Sequence, residues 1–164
     1  MRILLSLALA GLTSCGDGRN RVFVPDPRPA EDVRLAIAAA PAAGQAGQPV
    51  TVTASLRNAG RESVALLNRC PEPTIRIYDA QDAELYQRDP TLPVACPVFV
   101  SAPFEPSARL EVTLAFDGAY FSSDGRHHQV PAGTCRAVAT FVYAGVPDHG
   151  ETRTLTREVF FTWR

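Results

Sequence analysis

The chain has 164 residues and a formal net charge of −1, its 16 basic residues all arginine against 17 acidic ones. That balance excludes the electropositive footprint of a nucleic-acid-binding protein. Hydrophobic residues at 46% and charged residues at 20% supply a core and exclude a solvated disordered polymer, and Gly 11 with Pro 14 favours short strands and turns over long helices.

Met1-Arg2 opens the chain, and residues 3–12 (ILLSLALAGL) form an uncharged run. It is half the length of the ~20-residue stretch that spans a membrane and matches a signal-peptide h-region. The following Leu12-Thr13-Ser14-Cys15 resembles the bacterial lipobox. Small side chains there admit the scissile bond to the peptidase, and the Cys15 thiol takes diacylglycerol before cleavage. Residues 1–14 are therefore expected to be a lipoprotein signal peptide, with Cys15 the lipidated first residue of the mature protein. Two or more acyl chains give stable attachment, so the expected address is a bacterial cell envelope, lipid-anchored, on its periplasmic or outer-surface side. Gly16 and not Asp follows the cysteine, so the best-known inner-membrane retention signal is absent.

Residues 16–32 (GDGRNRVFVPDPRPAED) hold three prolines, two glycines and seven charged residues without a sustained period. Together with Cys15 they read as a lipidated N-terminus and flexible tether, 15–32, spanning roughly 23 Å as a coil. Residues 33–164 are long enough for one core and too short for two.

Within that stretch the hydrophobic period is two. Val33 to Ala39 reads as a first strand, although the alanine-rich 35–43 also admits a short helix limited by Pro41 and Gly44. Val50, Val52, Ala54 and Leu56 alternate with Thr51, Thr53, Ser55 and Arg57, a half-buried strand, and Asn58-Ala59-Gly60 ends it with turn chemistry. Ser63 to Leu67 follows. Ile75 and Ile77 alternate with Thr74, Arg76 and Tyr78, and the polar run from Asp79 to Glu84 turns the chain towards Leu85-Tyr86. Leu110, Val112, Leu114 and Phe116 mark the clearest strand. From Thr134 to Tyr143 the residues Cys135, Ala137, Ala139, Phe141 and Tyr143 share one face. A last segment, Leu155 to Trp163, pairs back through the turn at Pro147 to Gly150. The spacing predicts an all-β fold, an antiparallel immunoglobulin-like β-sandwich of about seven to eight strands.

With Cys15 lipidated, three of the four cysteines are left. Cys70-Pro71 and Cys96-Pro97 sit in proline-rich connections, whereas Cys135 lies on the apolar face of a strand. A Cys70–Cys96 disulfide is the simplest assignment, with Cys135 a buried free thiol that packs as a small hydrophobe. The bridge would contribute about 3.5 kcal/mol by loop closure. A redox or metal-binding thiol set is disfavoured by the lack of Cys-x-x-Cys spacing.

The chain carries little that points to catalytic chemistry. His127 and His128 are adjacent in a polar loop, and their side chains point apart on an extended chain; His149 lies in a separate turn. A site joining one of the pair to His149 across adjacent loops is the weaker alternative to solvated loop histidines. No Gly-x-Ser-x-Gly elbow, His-Glu-x-x-His pair or phosphate loop occurs. Asp79, Asp82 and Glu84 lack the central glycine and distal glutamate of a calcium loop and read as a charged hairpin tip. Tyr78, Tyr86, Tyr120, Phe121 and Trp163 read as core and rim. No catalytic residue, metal or cofactor is expected.

From about residue 45 to 145 the order of features resembles the intracellular proteinase inhibitor (BsuPI-like) family of small β-sandwich proteins. The residues that carry the resemblance are Gly47-Gln48-Pro49-Val50-Thr51-Val52, the turn Asn58-Ala59-Gly60, Ile75-Arg76-Ile77-Tyr78-Asp79, and Val130-Pro131-Ala132-Gly133-Thr134 ahead of Ala139-Thr140-Phe141. The resemblance implies the sandwich fold. No reactive-loop motif matches, so no inhibitory residue is carried over. Two functions follow as expectations. One is a non-catalytic binding or structural module, held at the membrane by its N-terminal lipid and facing another envelope protein. The other is a protease inhibitor presenting a loop between Cys70 and Cys96. Loss of residues 1–14 removes Arg2 and no acid, so the mature side chains carry 15 arginines against 17 acids, a charge of −2. Attraction to an anionic membrane is on that count expected from lipid and not from charge.

Overall fold

The computed structural model describes residues 32–67, 74–96, 101–145 and 152–164. Among them run eleven strands: β1 (Val33–Ala40), β2 (Ala43–Gly44), β3 (Val50–Asn58), β4 (Val64–Leu67), β5 (Ile75–Tyr78), β6 (Ser101–Phe104), β7 (Arg109–Phe116), β8 (Ala119–Phe121), β9 (His127–Gln129), β10 (Gly133–Gly145) and β11 (Arg153–Trp163). One sheet has the order β1-β3-β7; the other runs β2-β11-β10-β4-β6, with β5 also on β10; β8 and β9 form a separate ribbon. Apart from the two-residue β2, every pairing is antiparallel. This is the arrangement of an immunoglobulin-like sandwich, with β1, β3 and β7 facing the larger sheet.

The expected fold class is present, with more strands than expected. The surplus comes from short pieces that hydrophobic alternation cannot report: β2, β6, and the β8–β9 ribbon in a stretch read as loop. β4 and β5 pair with the same edge of β10, at Val142–Gly145 and Arg136–Ala139 respectively, and the residues between them, 68–73, lie outside the described set.

Local sequence explains the long strands. In β3 the burial alternates with the β-branched pattern, Val50, Val52, Ala54 and Leu56 facing inward. The alanine-rich β1 is a strand and not a helix, because pairing with β3 along all eight of its residues satisfies its backbone and seats Val33 and Leu35 in the core. On β10 the expected inward face, Cys135 to Tyr143, is buried throughout. β11 pairs with it over eleven residues.

The strand with the clearest alternation, β7, is only partly buried. Phe116 is fully covered, but Leu110 is 37% exposed, and Val112 and Leu114 are half-buried. The cause is position: β7 ends its sheet. On the opposite side β1 packs on β11 and closes the sandwich, whereas β5 and β7 barely touch. The sandwich is therefore closed along one side and parted along the other.

At the far end of the core Phe116 meets Phe161 and Trp163 edge to face, with centroids 5.6 and 5.4 Å apart. Such pairs add about 0.5–1.5 kcal/mol each beyond area burial. Trp163 thus belongs to the core, in keeping with the core-and-rim reading of the aromatics.

Candidate functional site

The parted side of the sandwich holds a groove of about 560 Å³, within the size range of ligand pockets. Ile75, Ile77 and Leu85 form its inner wall, Leu114 of β7 its opposite wall, and Leu92 and Val94 its exposed lip. Leu92 is 54% exposed and Val94 37%. Every lining residue except Leu114 comes from the segment between Cys70 and Cys96. The segment singled out in the sequence for its proline-rich, cysteine-bounded character thus forms the groove.

Its course follows from local bonds. Asp79 accepts from the backbone N–H groups of Gln81 (2.8 Å) and Ala83 (2.9 Å), which reverses the chain after β5. The Leu85 N–H then donates to the Ile77 carbonyl at 2.8 Å, laying residues 84–86 along the free edge of β5. Tyr86 exchanges both backbone hydrogen bonds with Phe121, so the β8–β9 ribbon is stitched to the same segment. Asp89 accepts from the Thr91 N–H (2.9 Å) and hydroxyl (2.6 Å), and the Arg88 guanidinium donates to the Pro93 carbonyl at 2.9 Å. This strut holds Leu92 and Val94 outward. Arg76 and Glu84 face each other at 3.9 Å on the groove wall.

Asp79, Asp82 and Glu84 do not converge, and no metal-holding group of three such side chains occurs among the described residues. Asp82 instead pairs at 2.7 Å with Arg136, which also meets Glu158 at 3.1 Å and lies over the Tyr78 ring, 4.7 Å from its centroid. Hydrogen bonds donated to Asp82 and Glu158 hold the Arg136 pKa above its ordinary value. The charged hairpin tip is tied to the sheet face.

His127 and His128 sit on β9 with side chains to opposite faces. His128 stacks on Tyr120 with centroids 5.4 Å apart, and His127 meets Phe121 edge-on at 5.3 Å; His149 lies outside the described residues. Ser122 Oγ lies 3.1 Å from His128 Nε2 and donates its proton to Asp124. That bond is the main cause of the lowered Asp124 pKa. In a nucleophilic triad the imidazole stands between hydroxyl and carboxylate and accepts the hydroxyl proton. Here the hydroxyl stands in the middle, so Nε2 faces an oxygen whose proton is already committed. The three residues, Ser122 half-buried and Asp124 and His128 exposed, lock a turn.

Of the cysteines, Cys135 is free and buried. Burial pushes its thiol up to about 11, with the Asp79 carboxylate adding to the shift. Native protein is expected to resist alkylation at pH 8, with labelling only after denaturation. The raised value also sets an alkaline limit. The thiol keeps its proton when folded and loses it when unfolded, so stability is expected to fall from about pH 9 towards 11, a limb missing from Cys135→Ala. Urea midpoints across that range check it. Cys96 is exposed and its sulfur is held in a disulfide. Cys15 and Cys70 lie outside the described residues.

Strand order and groove together define an immunoglobulin-like sandwich with one parted side. No family model and no curated protein matches the chain. Among solved structures it is similar to the ASH/PapD-like domain 7 of human CEP192, at 12% identity over 99% of this chain and 97% of that one, TM-score 0.43. It is also similar to a β-glucosidase from Erythrobacter marinus, at 15% identity, 80% and 15% coverage and TM-score 0.41. A β-glucosidase from Listeria innocua gives 12% identity, 77% and 16% coverage and TM-score 0.35. The chain spans about 15% of the length of the first of these enzymes. Likenesses of this grade say nothing about activity.

Sequence reasoning located the groove segment and missed the wall across from it. In the sequence Leu114 marks only a strand, because alternation cannot tell an edge strand from a central one.

Proposed function

We propose that the protein is a lipid-anchored, non-catalytic component of a bacterial envelope whose immunoglobulin-like module binds another envelope protein through the groove between β5 and β7. The supporting observation is the groove itself: an apolar cleft whose lip exposes Leu92 and Val94 on a segment braced by the Arg88–Pro93 strut. Exposed apolar residues beside a concave apolar wall mark interaction surfaces. A Cys70–Cys96 disulfide belongs to this reading, supported by the bonded state of Cys96; it would tie down both ends of the groove segment. The anchor is Cys15.

A photo-reactive residue at position 92 is expected to cross-link a single envelope protein in cells, and Leu92→Asp with Val94→Asp to abolish capture. The double variant should keep its unfolding free energy within about 0.5 kcal/mol, as solvent-facing changes do. Capture unaffected by the double variant removes the groove from the reading. Mass spectrometry of membrane-extracted protein tests the anchor, since an unmodified N-terminus eliminates it.

The exposed run Pro90–Cys96, which opens with a turn closed by the Leu92 N–H on the Asp89 carbonyl, also favours a second reading, protease inhibition by this loop. Assay of the unlipidated chain against a protease panel decides it: no inhibition at micromolar protein ends that reading.

A further inference from the structure

The outer face of the β1-β3-β7 sheet carries an arrangement with no trace in the linear sequence. Arg34 on β1 is paired in register with Arg57 on β3, and Arg57 with Arg109 on β7. Three guanidinium-bearing residues therefore stand side by side across three strands, about 4.5–5.5 Å between neighbouring Cβ atoms. All three are exposed, and none takes an ion-pair partner among the described residues. They border a shallow cleft of about 280 Å³ shared with Ala36, Ser55 and Glu111. Glu111 is the one acid on this sheet face; it accepts from the Ser55 hydroxyl at 3.4 Å. Asp32, Glu62 and Glu105 stand on the turns at the same end and not on the strands.

Like charges placed directly opposite on a sheet are destabilising. A row of three is therefore a cost to the fold, and an oxyanion is what would relieve it, since guanidinium forks match phosphate geometry. Position names the source. The Asp32 carbonyl accepts from the Ala59 and Gly60 N–H groups, which fixes the chain's entry into the domain two residues before Arg34. If Cys15 carries lipid, the tether enters the domain at the end bearing the row. We propose that Arg34, Arg57 and Arg109 form a phosphate-recognition row that seats the domain on anionic phospholipid headgroups. The choice of headgroups over soluble phosphate rests on the lipid-anchored reading above.

The test uses the lipid-free mature chain, residues 15–164 with Cys15→Ser, so that the anchor cannot contribute. Co-sedimentation with phosphatidylglycerol-containing vesicles is expected at low ionic strength and should weaken with added salt. No sedimentation is expected with pure phosphatidylcholine. Each of Arg34→Gln, Arg57→Gln and Arg109→Gln should lower partitioning about fivefold, and the triple variant about a hundredfold. Arg126→Gln, on the ribbon at the opposite end, should match the parent. Because the triple variant relieves repulsion, its melting temperature should equal or exceed the parent's; if it fails to fold, the single variants are read in its place. Parent-like binding by the arginine variants, or equal binding to both vesicle types, overturns the proposal. So does a shift of the arginine Nε–H resonances by inorganic phosphate without vesicle binding, which assigns the row to a soluble phosphate. Lipidation at Cys15 is read separately by mass, so loss of either result leaves the other interpretable.

Discussion

Trp163→Ala is expected to lower the unfolding free energy by about 3–5 kcal/mol, the cost of deleting a large buried aromatic side chain. For a domain of this size that is a fall of about 10–15 °C in melting temperature. The reason lies in how tightly the indole is held. Phe116 meets it edge to face, and two glycines let the backbone close on it. A Cβ at Gly118 would lie 2.2 Å from Trp163 Cζ2, and one at Gly44 2.7 Å from Cζ3. Gly118 also has φ +87°, a left-handed conformation that side chains resist. Gly118→Ala therefore combines overpacking with backbone strain and should cost about 2–4 kcal/mol. Urea unfolding followed by the fluorescence of the single tryptophan measures Gly118→Ala directly; circular dichroism serves Trp163→Ala. A loss below 1 kcal/mol in both would show that the cluster is not a principal source of stability.

Asn58→Ala is expected to cost about 2–4 kcal/mol, because truncating a buried polar hub leaves its partners unpaired. Asn58 is fully buried. Its amide nitrogen donates to the Glu62 carbonyl at 2.8 Å and the Phe104 carbonyl at 2.9 Å, and its oxygen accepts from the Gly60 N–H at 3.0 Å. Its backbone is engaged too, the N–H with the Ala108 carbonyl and the carbonyl with the Ser107 N–H. One side chain thus joins the end of β3, the turn into β4, and the end of β6. Asn58→Asp should be worse than Asn58→Ala, since a carboxylate would face two carbonyl oxygens with nothing to donate. If the two variants have equal urea midpoints, donation by the amide is not what holds this corner.

The sandwich was legible because alternation survives wherever a strand has one wet and one dry face. β3, β10 and β11 show it. It failed to mark β8 and β9, whose residues are nowhere fully buried, and it overstated the burial of β7. Asn58 was legible as turn chemistry only; nothing in Asn58-Ala59-Gly60 says that the side chain turns inward to bind the carbonyl of a residue 46 positions away. The groove was half legible. Cysteines and prolines marked the segment from 70 to 96, while its far wall comes from Leu114, which only the parting of two sheet edges brings opposite.

Composition, period and punctuation alone determined that this chain makes an all-β sandwich without a strong net charge. These are properties summed along the chain or repeated every second residue, and such properties need no partner to be read. The tertiary structure decided the rest. It parted one side of the sandwich into a groove and closed Gly44 and Gly118 on Trp163. It also gathered Arg34, Arg57 and Arg109, spread over 76 positions of sequence, into one row. A formal net charge of −1 conceals that row because net charge sums over all positions, whereas a membrane or a ligand meets only the residues that strand register places together.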